Sequence, residues 1–414
     1  MKIRSVSVRI VALVATLCSL TGLAVASLSA AQTYRQLLSA AEQRVEDIRN
    51  SVMTGICNGV DDTVNTLRVA TLSPATRVQF ADLAAAFAEL SPDARADLVS
   101  RYAGDNAAPL ALRAAVDSVG TDSAYDTLHN AYHRHWLRFA QETRAPDLLF
   151  VDREGTVFYS VRKREDFGVN LPTLLPDSIA ARTFVAAVAG NPPYVPAFSD
   201  IAFYSPNGNA PAAFVGLPMV DGSGGTIGAI LIQLADTNFA AALQAAPALG
   251  QTGEVLIVGS DYIVRNEPRF AEGSALVRKI VTDGTRRALN GEIARLHYLN
   301  YRGETVVSAI GAIDLYGVRW GILSTNDLSE FHEQIFDVLK VNFALAIVLS
   351  LILAIVGAFF AKSVATPIVS LTGTLAQLSG GDHRAQIPFT GREDEIGKLA
   401  RGLVTFREAL VESG

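Results

Sequence analysis

The sequence predicts a membrane-anchored α+β protein with two small antiparallel modules in tandem and a helical bundle at its C-terminal end. Three observations carry this prediction: two uncharged apolar runs, a repeated order of β-hairpin, insert and β-hairpin between them, and two short apolar seams after the second run. At 414 residues the chain has room for two or three domains. A net charge of −6, with no basic tract beyond Arg162-Lys163-Arg164, excludes a phosphate-tracking surface for nucleic acid.

Residues 10–31 carry no charge, and residues 341–361 hold only Asn342 and Ser350 as polar side chains. Each run is long enough to cross a hydrocarbon layer of ~30 Å as a helix rising ~1.5 Å per residue. Lys2, Arg4 and Arg9 precede the first and Lys362 follows the second, which places residues 1–9 and 362–414 in the cytoplasm and residues 32–340 outside. Ser29 and Ala31 before Gln32 also suit a signal-peptide cleavage site, but the run exceeds the usual apolar region of ~7–15 residues, which favours a retained span. Cys18 sits in the first run and Cys57 outside it, so the two cannot form an intramolecular disulfide.

The exported part opens with helix. "YRQLLSAAEQRVEDIRNSV" puts Leu37, Leu38, Val45, Ile48 and Val52 near one face, and "LSPATR" and "LSPDAR" each set serine before proline as a helix start. A further helix is predicted from Tyr125 to Thr143. "DLLFVDREGTVFYSV" then reads as strand, turn and strand, and "AAFVGLPMVDGSGGTIGAILIQL" repeats the form with a glycine-rich turn. The order returns as "GEVLIVGSDYIVRN" and "ETVVSAIGAIDLYGVRWGILST", with helical "SALVRKIVTDGTRRALNG" between. Two copies of a small α+β module follow, at about residues 125–234 and 250–328.

After the second run, Ile368, Leu371, Leu375 and Leu378 form a three-four-three seam. "SGGDHRAQIPFTGRE" interrupts it. Ile396, Leu399, Leu403, Phe406 and Leu410 then form a second seam behind the acidic pair Asp394-Glu395, where Glu395 suits a helix N-terminus. Seams this short need a partner copy, giving a parallel four-helix bundle from two chains.

The arrangement resembles the double Cache sensor architecture, two PAS-like modules on a long helix between two membrane helices. The phrases "YDTLHNAYHRHW", "DLLFVDREGTVFYSVRKREDFGVNL", "FYSPNGNAPAAFVGLPM" and "TGEVLIVGSDYIVRNEPRF" are similar to those of bacterial methyl-accepting chemotaxis receptors across residues 37–328. Pro367, the connector glycine Gly381, and Asp394, Glu395 and Gly397 of "DEIG" resemble a HAMP domain, which implies a structural relay without catalysis. The resemblance implies a homodimeric receptor of the bacterial inner membrane, with its sensor in the periplasm and a small-molecule ligand. It also implies a chemotaxis kinase and adaptor, reached only through a C-terminal signalling module that does not follow "FREALVESG". The same input serves histidine kinases and nucleotide cyclases, and a chain ending here would instead modulate longer receptors through mixed dimers.

Candidate ligand residues lie in the first module: Phe158, Tyr159, Ser160, Lys163 and Asp166 on and after the first hairpin, and Asp200, Phe203, Tyr204 and Phe214 on the segment facing it. Against this stands the reading of "TVFYSV" as core with a solvated charged rim. The tyrosine-arginine-tryptophan-tyrosine pattern and following aspartate of amino-acid-binding Cache domains is absent, which leaves organic acids, amines, purines and polyols open. His129 and His133, four apart on a helix with His135 nearby, have metal-ligand spacing without a completing carboxylate or thiol. No cofactor is implied. No nucleophile elbow or phosphate loop is present, so no enzyme activity is expected, and the glycines of "VGSDY" and "DGSGG" read as turn residues needing positive φ.

Overall fold

A computed structural model describes residues 6–190, 195–234, 243, 246–382 and 384–412. The chain divides into two compact units, residues 39–330 and residues 1–38 with 331–414. Residues 1–5 and 413–414 of the expected cytoplasmic ends lie outside the described residues.

The first apolar run and the helix predicted after it form one helix of 67 residues, α1 (Val6–Leu72). Val45, Ile48 and Val52 are buried as their spacing requires, and Arg49 Nη1 donates to the Ile310 carbonyl at 2.8 Å. Helices α2 (Pro74–Ala88) and α3 (Pro92–Tyr102) start at the two Ser-Pro sites. Ser91 accepts the Ala94 N–H as a cap, whereas Ser73 makes no such bond. A short turn α4 (Leu110–Arg113) precedes α5 (Ala124–Glu142).

The first sheet has five strands: β1 (Leu148–Asp152), β2 (Val157–Ser160), β3 (Ala197–Phe198), β6 (Phe214–Val220) and β7 (Thr226–Gln233), in the order β2-β1-β7-β6-β3. Between β2 and β3 lie α6 (Leu171–Leu174) and α7 (Ile179–Ala189), and a separate small hairpin joins β4 (Ala202–Tyr204) to β5 (Ala210–Ala212). One face of the sheet buries Leu149, Val151 and Leu231 against Ile179, Phe184 and Ala187 of α7. The other sets Phe150 and Phe158 on Phe80 of α2 and Trp136 of α5. Burial of each such ring contributes about 1.5–3 kcal/mol.

The second sheet runs β8-β11-β10-β9, from β8 (Glu254–Gly259), β9 (Ala294–Leu299), β10 (Thr305–Leu315) and β11 (Val318–Asp327), with α8 (Asp283–Leu289) on its face. Three features depart from expectation. Only seven residues of the predicted helical insert are helical, started by the Thr282–Thr285 capping box. Strand β9 was not predicted; alternation of half-buried and exposed residues along it marks an edge strand. The third hairpin has one true strand, because Asn266 replaces the returning one: its Oδ1 accepts the Ile257 N–H and its Nδ2 donates to the Val255 carbonyl, both at 2.8 Å.

The turn glycines also divide. Gly155 and Gly224 adopt φ of 96° and 88° as their hairpins require. In "VGSDY" the positive φ falls on Tyr262 instead of Gly259. Gly259 is needed for space, since a Cβ there would stand 2.0 Å from Arg265 Nη2.

Strand β11 ends at Asp327 and helix α9 (Leu328–Phe360) begins at the next residue. A π-helical turn (Ala361–Ala365) joins it to α10 (Thr366–Ser379), and α11 (Glu395–Glu412) follows the connector. Among the described residues one helical stretch is long and apolar enough to cross a membrane, Leu328–Ser379.

Candidate functional site

The predicted ligand residues separate into core, surface and a buried polar network. Phe158 and Phe214 are core rings, 4.9 Å from Phe80 and 5.2 Å from Tyr204 between centroids. Phe203 is exposed on the β4–β5 hairpin. Tyr159, Ser160, Lys163, Asp166 and Tyr204 are all buried.

The acidic half of the network centres on Asp147, just ahead of β1. Its carboxylate accepts the Leu148 N–H at 2.8 Å, the Arg162 N–H at 3.0 Å and the Ser160 hydroxyl at 3.1 Å. Ser160 Oγ accepts the Lys163 N–H at 2.8 Å, which fixes Lys163 at a positive φ of 51°. Tyr204 Oη donates to Asp166 Oδ2 at 2.7 Å, while Asp166 Oδ1 is buried without a partner. Burial first, and the Asp147 charge second, push the Asp166 carboxyl up to about 7 against the Tyr204 hydrogen bond.

The basic half stacks on α5. Lys163 Nζ stands 3.0 Å from His133 Nε2 and 3.3 Å from the Arg113 and Val161 carbonyls. His133 Nε2 lies 2.8 Å from the Ala114 carbonyl and Nδ1 lies 2.7 Å from Tyr159 Oη. A neutral imidazole satisfies both by protonating Nε2, so that Nδ1 accepts from Tyr159. The Lys163 amine then faces a donor, an arrangement suited to its neutral form. Burial agrees, pulling this amine down to about 7 against the charges of Asp147 and Asp117, and pushing His133 down to about 4.

His129 stacks on His133 at 4.6 Å, with Nδ1 2.6 Å from the Asp117 carbonyl and Nε2 buried without a partner. His135 points to solvent. Among the described residues no group of three or more His, Cys, Asp or Glu gathers to hold a metal.

Two buried carboxylates in this region were not anticipated, Asp147 and Asp126. Asp126 accepts from Tyr102 Oη at 2.5 Å, Ser118 Oγ at 2.7 Å and the Val119 and Thr121 N–H groups at 3.0 Å. Burial raises its carboxyl, but these hydrogen bonds outweigh burial and hold it below the usual range. For Asp147 the signal is an aspartate just ahead of a strand, beside the open Leu148 N–H, whereas the backbone donors to Asp126 come from the loop before its helix.

Asp200 has a different neighbourhood. It accepts Arg265 Nε at 2.9 Å, Arg265 Nη2 at 2.7 Å and Trp320 Nε1 at 2.8 Å, all from the second module. Phe198 adds an edge contact with Trp320 at 5.9 Å.

In the C-terminal segment Pro367, Leu371, Thr374 and Leu378 of α10 are buried, as are Gly397, Ala400 and Leu403 of α11. Of the other members of the predicted seams, Ile368, Leu375, Leu399 and Phe406 are exposed in the single chain and Ile396 is half-buried, while the Leu410 side chain lies outside the described residues. Gly381 takes φ of 93° in the connector. The helix cap falls to Asp394 and not to Glu395: Asp394 Oδ1 accepts the Gly397 N–H at 3.1 Å, and a hydrogen bond from Arg392 leads the causes that hold this carboxyl at about 2. A Cβ on Gly397 would meet the Arg392 carbonyl at 1.9 Å.

Residues 359–412 match the HAMP domain family. The chain is 22% identical over 185 residues to a probable chemoreceptor of Sinorhizobium fredii, a match covering 44% of this chain and 23% of that protein. It therefore spans about a quarter of that relative's length. Among solved structures, the ligand-binding domain of the Pseudomonas fluorescens chemoreceptor CtaA in complex with L-serine is 12% identical with a TM-score of 0.38, covering 71% of this chain and 98% of that one. The sensor domain of the Vibrio cholerae histidine kinase DctB is 12% identical with a TM-score of 0.36, at the same coverage. Scores of this size do not establish a common fold. The chain thus carries a HAMP domain and similarity to a chemoreceptor.

Proposed function

We propose that this chain is a homodimeric transmembrane receptor of chemoreceptor type, with residues 32–340 as a periplasmic double Cache sensor, residues 10–31 and 341–361 as membrane helices and residues 362–414 as a cytoplasmic HAMP relay. The observation that carries this reading is the unbroken passage from β11 into the apolar helix α9, which leads to the matched HAMP residues. A strand of the sensor sheet and a membrane helix share one backbone there, so a change in the sheet has a short mechanical path to the bundle.

The ligand is a small polar molecule, and its anchor in the distal module is Asp166, whose unpartnered Oδ1 lies opposite the Tyr204 contact. Gly168, two residues on, lines a cavity of about 670 Å³ with Leu90, Arg95, Val99 and Asp105, which supplies an approach. Binding releases Asp166 from Tyr204 and moves the β4–β5 hairpin. The coupling passed to the HAMP bundle is of the usual allosteric size, ~1–3 kcal/mol. Ile368, Leu375, Leu399 and Phe406 form the seam with the partner chain.

The test is disulfide crosslinking in membranes, using Leu375→Cys in a background with Cys18 and Cys57 changed to Ala. A thermal-shift screen of the full chain in detergent supplies a stabilising compound, which at a hundred times its Kd adds ~2.7 kcal/mol. That compound is expected to change the crosslinking rate, and a Gly-Gly-Ser insertion after Gln334 to abolish the change. An unaltered response in the insertion variant would sink transmission through α9.

A further inference from the structure

The second module holds a cavity of about 400 Å³, walled by Pro247, Gly253, Glu254, Val255, Asn266 and Arg269. Its polar side chains are almost fully committed. Arg269 Nη1 donates to the Gly250 and Gly253 carbonyls at 2.8 and 2.9 Å, the amide of Asn266 is spent on the edge of β8, and the carboxylate of Glu267, also in the wall, accepts the Ser274 N–H at 3.2 Å. The exception is Glu254, only 2% exposed. Tyr301 Oη donates to its Oε2 at 3.1 Å, but Oε1 is buried with no hydrogen-bond partner among the described residues. The backbone N–H of Arg269, another wall residue, lies close enough to this carboxyl to favour its charged form, and Glu254 itself lines the cavity.

We propose that this cavity is a second ligand site, distinct from the one at Asp166, which takes a small alkylammonium ion with its N–H groups on Glu254 Oε1 and its alkyl part against Pro247 and Val255. An unsatisfied buried acceptor calls for a donor, and a carboxylate calls for a positive one. Arg302, whose charge also acts on Glu254, is already paired with Asp327 at 2.6 Å. Burial pushes the Glu254 carboxyl up, and a bound ammonium is the species that brings it back to the charged form.

The position suits a modulator of transmission. Glu254 pairs with Thr325 of β11, two residues before the strand ends at Asp327. The adjoining Thr252 bonds both Asn326 at 2.6 Å and Glu330 in the first turn of α9. Occupancy of the cavity would therefore act on the strand-to-helix junction directly.

The experiment is isothermal titration calorimetry of the full chain in nanodiscs with methylammonium, ethylammonium and n-butylammonium chlorides, against sodium chloride as control. At least one amine is expected to bind saturably, with affinity reduced about tenfold or more in Glu254→Gln and unchanged in Asp166→Asn. Absence of saturable binding by all three, or wild-type affinity in Glu254→Gln, overturns the proposal. Should circular dichroism show Glu254→Gln unfolded, Glu254→Asp decides: it keeps the charge and withdraws the oxygen by one methylene, so an undiminished affinity overturns the proposal equally.

Discussion

Arg265 grips Asp200 with two nitrogens, Nε on Oδ1 at 2.9 Å and Nη2 on Oδ2 at 2.7 Å, and so ties the segment between β3 and β4 to the second sheet. The guanidinium is nearly buried and the carboxylate half-exposed. Paired geometry of this kind is among the stronger charge-assisted contacts, and breaking one side leaves the other uncompensated. Asp200→Ala is accordingly expected to cost about 2–3 kcal/mol, read from denaturant unfolding of the two sheet modules in the intact chain. A double-mutant cycle with Arg265→Met should return a coupling of about 1.5 kcal/mol or more, and a value near zero would mean that solvent screens the pair.

Gly259 offers a finer probe of the same tie. A methyl group there would meet Arg265 Nη2 at 2.0 Å, and the flexible end of that side chain is what must yield. Gly259→Ala is expected to leave the second sheet folded while displacing the guanidinium from Asp200. Hydrogen exchange would then rise in the β3–β4 segment and stay unchanged in β10; protection unchanged in both would contradict this.

The buried network predicts a two-sided pH profile. Asp166 titrates near 7 when folded and near 3.8 when unfolded, so between these values the folded state holds the extra proton and stability falls as pH rises. Lys163 titrates near 7 when folded and near 10.5 when unfolded, so above 7 the unfolded state holds the extra proton and stability climbs with pH. Each group contributes a slope of up to about 1.4 kcal/mol per pH unit inside its window. Asp166→Asn should flatten the profile between pH 4 and 7, and Lys163→Met between 7 and 10, in melts of the full chain. Persistence of both slopes in both variants would assign them elsewhere.

In the C-terminal bundle Gly397→Ala should be far costlier than an ordinary surface exchange. The added Cβ would press into the Arg392 carbonyl, a backbone atom that cannot swing aside, and would disturb the Asp394 cap beside it. A loss of about 2 kcal/mol is expected, visible as reduced Leu375→Cys crosslinking. Gly402→Ala, with open space at its Cβ, is the control and should be neutral or slightly stabilising.

Much of the fold was legible because it is written locally. Period-two alternation and turn glycines located the β1–β2, β6–β7 and β10–β11 hairpins, and Ser-Pro steps located α2 and α3. What was not legible depends on distant partners. Asn266 stands in for a strand only because β8 presents open backbone groups to it, and Asp200 meets Arg265 65 residues later and Trp320 120 residues later. Within the candidate site, Tyr159, Ser160, Lys163, Asp166 and Tyr204, expected as ligand residues from the mixture of aromatic and polar character around them, are all buried and hydrogen-bonded. Asp147 was not expected, since an aspartate before a strand reads as a turn residue until the burial of both flanks is known.

The place that Asn266 takes beside β8 also bears on how copies of the molecule meet one another. β8 is an edge strand, and edges with open N–H and C=O groups recruit strands from other chains. Here the outward groups of Val255, Ile257 and Gly259 are taken by Asn266, Arg265 and Ile263 from the same chain. One amide side chain and two backbone contacts thus cover the β8 edge against edge-to-edge pairing, a cover that Asn266→Ala would open at the Val255 carbonyl and the Ile257 N–H.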